Sequence, residues 1–431
     1  MKKLYPTAPH PQPTKYTDMK TSLKQKLALI LPGIFLLGFN IGTGSVTTMA
    51  KTGADYGMTL LWTLVASCLA TYYMILSYSR YTLVTGETAL QAFRKHIHPA
   101  VGIFFIVALT SGVAGSVMGV MGIVADISHV WSQSFIEGGI SPVVFAAVFG
   151  TLVFVIFWNG ETQFFERALA VMVAIMGVCF LVNFFIMTPP LSAFLKGIVP
   201  SLPAVPEGQD KGPYIVIASM VGTTVSSALF IVRTTLVKEA GWKIGDWHIQ
   251  RRDAIVSVSL MFLVSMTIMA AAAGTLYPAG LVLEEASQMI TLLEPLAGSM
   301  AVAIFAFGII AAGVSSQFPN VLLLPWLLCD YNQSERNMKL PKYRLMVFGI
   351  SLLGLVVPIF QARPVFVMII SQALNSIILP LTVGCILYLG NKESLIGKYK
   401  LSTLTNVVLC LVLGFALFTS YLSITAIVGS F

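Results

Sequence analysis

The chain predicts an all-α membrane protein of eleven transmembrane helices, five plus five in an inverted repeat with one helix added, the first and sixth helices broken. Three observations lead there. Hydrophobic residues make up 56% of the 431 positions and charged ones only 10%, against about 25% charged in a soluble domain, and the mean hydropathy is +0.85. Long apolar runs alternate with short loops whose basic residues fall almost all on one side. Two of those runs are interrupted near mid-span by glycine and hydroxyl residues. A disulfide scaffold, a disordered chain and a nucleic-acid binder all fit this composition poorly. The net charge of +8 reflects loops on the cytoplasmic side rather than a nucleic-acid partner. The five cysteines show neither paired nor metal-ligand spacing and read as small hydrophobes.

Apolar runs of about 18 or more residues mark membrane helices. They fall at 27–49, 58–80, 100–126, 141–158, 167–188, 213–237, 253–276, 297–328, 344–361, 365–390 and 402–429. Within hydrocarbon the backbone must pair internally, so each is a helix. Residues 1–26 form a polar, proline-dotted tail without the apolar core of a signal peptide. With this tail inside, inward loops hold 21 lysines and arginines and outward loops hold 4, among them Lys51. That is the asymmetry of the positive-inside rule, and one missed helix would invert every later loop. The organisation that follows is a cytoplasmic tail 1–26, a first repeat 27–190, an outward loop 191–212, a second repeat 213–390, and a loop with the last span at 391–431. A multi-pass protein of the bacterial inner membrane is expected, with its N-terminus cytoplasmic and the bilayer as its surrounding partner.

The first span carries Asn40-Ile41-Gly42-Thr43-Gly44-Ser45-Val46-Thr47-Thr48, and the sixth carries Val221-Gly222-Thr223-Thr224-Val225-Ser226-Ser227. Such residues favour unwinding, and unwound backbone at membrane depth persists only where it lines a cavity. The stretches lie five spans apart, so the two halves run in opposite directions, as in inverted-repeat secondary transporters. Taken singly, each stretch could equally be a tight helix contact through small residues.

The order of several further pieces resembles the Nramp family of proton-coupled divalent metal transporters, which have a LeuT-type fold. These pieces are Leu31-Pro32-Gly33, Gly53-Ala54-Asp55-Tyr56-Gly57-Met58-Thr59-Leu60-Leu61-Trp62, Val84-Thr85-Gly86, Glu166-Arg167, Ala312-Gly313-Val314-Ser315-Ser316, Ser371-Gln372 and Leu379-Pro380. The family's metal site does not carry over. Its Asp-Pro-Gly-Asn aligns with Gly42-Thr43-Gly44-Ser45, and its Met-Pro-His with Ser226-Ser227-Ala228. A second histidine of the sixth span falls at Arg233, and the glutamine of the tenth falls at Ile378, with Asn375 one turn away. The third-span acidic pair of its proton route falls near Ser116 and Gly119.

The residues agree with that departure. None of the 18 acidic residues is expected in the middle of a span, Asp126, Glu166 and Asp330 being nearest, and all five histidines are expected in loops or the tail. A bare divalent ion needs compensating charge in a low-dielectric cavity, and transition metals favour imidazole or thiolate. Hydroxyls, amides and carbonyls suit Na⁺, or Mg²⁺ that keeps several waters, or a neutral solute. Candidate ion or substrate ligands are therefore Gly42, Thr43, Gly44 and Ser45 in an unwound first span, Thr224, Ser226 and Ser227 facing them, and Asn375. Thr43, Ser45 and Ser226 are the candidates for a metal. Gly42, Ser315 and Ser316 match a sodium site of LeuT-type carriers. Each hydroxyl could equally bond a carbonyl one turn back. Arg233 is the one strong charge well inside a span, ~10 Å past the break at 1.5 Å per residue. It marks an inner gate or an anion contact, unless its side chain snorkels to the membrane surface. Met118 and Met121 read as packing, and Pro319 and Pro325 as kinks.

No nucleotide-binding loop, catalytic triad or zinc signature is present in the sequence, which argues against an ATP-driven pump and an enzyme. The reading is a secondary transporter that moves a small cation, such as hydrated Mg²⁺, through an atypical oxygen-lined site. It needs no resident cofactor, and Na⁺ or H⁺ is the coupling ion. The alternative is a Na⁺-coupled carrier of a small neutral or anionic organic solute. A non-transporting sensor is a third class, against which the lack of a soluble signalling domain argues.

Overall fold

The structure is a computed structural model that describes residues 42–159, 177–178, 181–182, 184–185, 189–203, 212–292 and 301–428. The tail, the opening part of the first span, Glu166-Arg167 and most of the fifth span at 167–188 lie outside the described residues. Among those described there are helices and no strands, and eight helical segments are long and apolar enough to cross a membrane.

In chain order the main helices are α1 Thr43–Tyr56, α2 Leu61–Thr85, α3 Pro99–Ser132, α4 Pro142–Asn159, α5 Leu191–Ile198, α6 Tyr214–Thr224 and α7 Ser227–Glu239. They continue with α8 Trp247–Thr275, α9 Ala301–Tyr331, α10 Pro341–Leu352, α11 Val356–Phe360, α12 Pro364–Asn391 and α13 Thr403–Val428. The apolar runs place these helices well, with three departures. α1 runs on to Tyr56, so Lys51 sits on a helix rather than in a loop. α3 runs on to Ser132 and α8 starts at Trp247, which puts His129 and His248 on helices and Asp253 well inside one. The segment at 191–212 contains α5. Hydropathy marks where a helix meets lipid, but a helix goes on as far as its hydrogen-bond ladder does. Pro319 and Pro325 both lie within the unbroken run of α9.

Small residues bring the backbones together. A Cβ on Gly222 of α6 would run into the carbonyl oxygen of Gln372 in α12, and one on Gly53 of α1 would run into the carbonyl oxygen of Met269 in α8. Without hydrophobic drive between helices in lipid, such close approach and the hydrogen bonds it permits hold the bundle. Thr48 and Ser219 share a hydrogen bond of 3.0 Å between α1 and α6. The Tyr78 hydroxyl donates to the Thr382 carbonyl at 2.8 Å between α2 and α12, and its ring stacks on Phe230 of α7 at 6.0 Å.

Candidate functional site

The sixth span is broken. Its 26 residues from Tyr214 to Glu239 divide into α6 and α7. Val225 N–H still bonds the Val221 carbonyl at 2.7 Å, and Ser226 is extended at φ −70°, ψ 119°. The run of Thr, Thr, Val, Ser and Ser disfavours helix because β-branched and hydroxyl side chains crowd or compete with the ladder. The interruption is narrower than the sequence suggests: Val221–Thr224 are helical, and Ser227 already opens α7. At the first span Gly42 is extended (φ −93°, ψ −175°), and α1 starts immediately after it. Thr43, Gly44 and Ser45 thus form the first turn of a helix instead of an unwound segment. This is a correction, and its reason is that one extended glycine suffices to begin α1.

Between these points lies a cavity of about 50 Å³, lined by Gly42, Gly44, Ser45, Val113, Ser116, Val120, Thr223, Ser226, Ala228, Ser316, Asn320, Gln372 and Asn375. By the same measure ~10–15 Å³ holds one water, so there is room for an ion and a few waters. Among the described residues no Asp, Glu, His, Lys, Arg, Cys or Met lines it. Among the described residues no three acidic, His or Cys side chains cluster as a metal site.

The structure gathers Gly42, Gly44, Ser45, Ser226, Ser316 and Asn375 at this cavity. It leaves out the other predicted residues, for visible reasons. The Thr43 hydroxyl is buried beside Gly313, with no partner among the described residues, and the Thr43 carbonyl accepts from Thr47 at 2.8 Å. The Thr224 side chain is buried, and its carbonyl accepts from Thr71 at 2.8 Å. Ser227 shares a hydrogen bond of 2.7 Å with Thr382. Ser315 is half-buried off the cavity, whereas Ser316 donates to the Gly313 carbonyl at 3.0 Å. Ile378 is packed in the apolar core.

Four polar lining residues were not among the predicted ligands: Ser116, Thr223, Asn320 and Gln372. Asn320 lies one turn beyond Ser316 on the same helix face, a spacing that could have found it. Gln372 is the hub of the site. A Cβ on Gly44 would lie 2.7 Å from its amide nitrogen, and its backbone packs on Gly222. Its amide donates to Met368 sulfur, and its oxygen accepts from Asn375, both at 3.4 Å. These are long contacts that a ligand could replace.

Arg233 requires the largest correction. It is 1% exposed, donates to Gln250 at 2.8 Å and is ion-paired with Asp253 of α8. It neither reaches the cavity nor snorkels to a surface. No acidic residue is expected in mid-span, and Asp253 does not lie there: it is the seventh residue of α8, because the apolar run begins at 253 while the helix begins six residues earlier.

Past Arg233, the end of α7 is tied down by charges. Thr88 donates to both oxygens of Asp330 at 2.9 and 2.8 Å, and the Gln91 amide adds a bond of 3.0 Å. Lys238 of α7 reaches the Gln91 oxygen at 2.7 Å. Nearby, burial raises the Glu87 carboxyl, but hydrogen bonds from Lys95, His96 and Tyr81 outweigh it and hold the group below the usual carboxylate range. At the other end of the bundle, Lys51 pairs with Asp55 and Arg363 with Glu284, both at 2.8 Å.

Comparison with known proteins supports the fold and places the chain. Residues 33–426 match the profile of the natural resistance-associated macrophage protein-like family, Nramp. The divalent metal cation transporter MntH of Pectobacterium carotovorum is 25% identical over 69% of this chain and 71% of its own. The protein of the same name from Acidiphilium cryptum is 24% identical over 84% of this chain and 82% of its own. Among solved structures, a manganese transporter of Eremococcus coleocola superposes with a TM-score of 0.74 at 16% identity, covering 96% of this chain and 89% of that one. Mhp1, a nucleobase-cation-symport-1 family transporter, superposes with a TM-score of 0.56 at 14% identity over 92% and 93%.

Proposed function

The chain belongs to the Nramp family and is a multi-pass integral membrane protein of LeuT-type fold, and on that premise we propose that it carries a metal cation by alternating access through the cavity between α1, α3, α6, α7, α9 and α12. The MntH relatives support a metal ion as cargo. The observation that carries the finer reading is a small cavity lined by hydroxyls, amides and backbone, without carboxylate, imidazole or sulfur. Hard oxygen donors suit a cation that keeps part of its water shell, as Mg²⁺ does. Ser45, Ser226, Ser316, Asn320, Gln372 and Asn375 are the residues proposed to hold that shell. An engineered apolar cavity of ~150 Å³ holds benzene, so the 50 Å³ here disfavours an organic solute of that size.

Movement would follow the two halves of the repeat rocking about this site. Among the described residues no titratable side chain lines the cavity, which argues against proton coupling there and leaves Na⁺ as the coupling candidate, through Gly42 and Ser316. Arg233 is proposed to fix α7 to α8 so that they move as one body, in place of meeting cargo. The basic-residue asymmetry supports a cytoplasmic N-terminus, and the bacterial relatives support the inner membrane.

The test is uptake of Mg²⁺ and Mn²⁺, as chloride salts, into proteoliposomes with and without Na⁺ or pH gradients. Saturable uptake that needs no inward proton gradient is expected. No divalent uptake under any gradient would overturn the transport reading, and uptake driven only by protons would overturn the account of the site.

A further inference from the structure

The cavity has a polarity of its own. α1 begins after Gly42 and α7 after Ser226; both residues line the cavity, and neither helix start carries a side-chain cap. The first N–H groups of a helix lack partners within it, and the aligned peptide dipoles place about half a positive charge at each start. These helices have 14 and 13 residues, long enough for that effect. Two starts at one cavity amount to about one positive charge, and no lining side chain opposes it.

A second observation points to a ligand independently. Ser45, Thr223 and Asn320 are 4%, 6% and 9% exposed, all three line the cavity, and none has a side-chain hydrogen bond among the described residues. Buried polar side chains are normally bonded. Ser45 lies in the first turn of α1, where its hydroxyl adds a donor to the free N–H groups. Ser226 offers another at the start of α7.

We propose that the cavity binds a small monovalent anion, of halide or formate size, at the paired starts of α1 and α7, and that the metal cation and this anion cross together. The inference rests on the metal-transport reading and names a second substrate for the same site. The anion supplies the negative charge that the lining side chains lack. A multivalent cation alone would meet two positive helix ends against the single negative end of α6, too little counter-charge for a desolvated ion. α6 ends beside the cavity, which its Thr223 lines, and contributes the opposite dipole, so cation and anion have separate seats.

The experiment compares Mn²⁺ uptake into proteoliposomes bathed in chloride, in formate or in gluconate, the last being too large for the cavity. Uptake roughly ten-fold or more above gluconate is expected with chloride, with formate or with both, a difference of about 1.4 kcal/mol. Labelled anion should enter with the metal. Ser45→Asp places a fixed carboxylate in the first turn of α1, where negative charge is favourable. In this variant the rate of metal uptake should not differ among the three media, whatever its level relative to the wild type, and no labelled anion should enter. Equal uptake by the wild type in gluconate and chloride would overturn the proposal, as would full anion dependence in S45D.

A separate measurement needs no transport. The unfolding midpoint of the purified wild type, without metal, should rise and saturate with chloride but not with gluconate, and S45D should not respond. Identical curves would overturn the anion site. Uptake failing in every medium for both proteins would defeat the metal-transport reading, and the midpoint curves would then decide the anion site alone.

Discussion

At the start of α7, Ser226 opens onto a cavity where Ser45, Thr223 and Asn320 remain unbonded among the described residues. Two turns further along the same helix, Arg233 is held by Gln250 and Asp253 in a region closed to solvent. The first region leaves polar groups free and excludes formal charge, and the second buries full charges and pairs them. The difference teaches where each kind of polarity is useful. A site that must take up and release a ligand cannot satisfy its own donors and acceptors. A contact that must hold a half-helix in place has to satisfy them, because an unpaired charge away from water costs several kcal/mol.

The comparison can be broken most forcefully at the ion pair. Arg233→Leu should destabilise the protein by roughly 3–5 kcal/mol, since it leaves a buried carboxylate without its partner. Adding Asp253→Leu should recover most of that loss. Chemical unfolding of the purified variants checks both, and a double variant as unstable as the single one would refute the pairing argument.

A smaller effect is expected from crowding the two glycines packed against Gln372. Gly222→Ala drives a methyl into the backbone of Gln372 and should cost about 1–3 kcal/mol, the usual range for overpacking, together with loss of transport. Gly44→Ala meets only the ends of the Gln372 and Met368 side chains, which can move. It should fold nearly as well as the wild type but bind cargo less well. Thermal unfolding combined with uptake separates the two.

The finest distinction lies between neighbouring serines. Ser227→Ala removes one buried hydrogen bond to Thr382 and should cost about 1 kcal/mol, with the cargo KM little changed. Ser226→Ala should leave stability within ~0.5 kcal/mol while raising KM. Equal effects at both positions would show that the cavity is not the boundary between structural and binding hydroxyls.

Much of the fold was legible beforehand. Apolar runs gave the helices where the chain is described, apart from the longer reach of α1, α3 and α8, and the Gly-Thr stretches gave the place where the sixth span breaks. The extent of the break was not legible, because Thr223 and Thr224 remain helical against α12 despite their propensity. Of the candidate ligands, Ser45, Ser226, Ser316 and Asn375 reach the cavity, while Thr43, Thr224, Ser227 and Ser315 do not. Hydroxyls one residue apart have equal chemistry but point about 100° apart around a helix.

Composition and hydropathy alone determined that this chain lives in a bilayer as a helical bundle, and that the two Gly-Thr stretches carry no acidic residue. These properties depend on residue type, which sequence displays directly. Only the tertiary structure decided that Asp253 neutralises Arg233 and that Gln372 and Asn320 join the site. It also decided that two uncapped helix starts converge there. Those facts depend on which faces meet across distant helices, and the close approach at Gly222 and the reach of each side chain settle that.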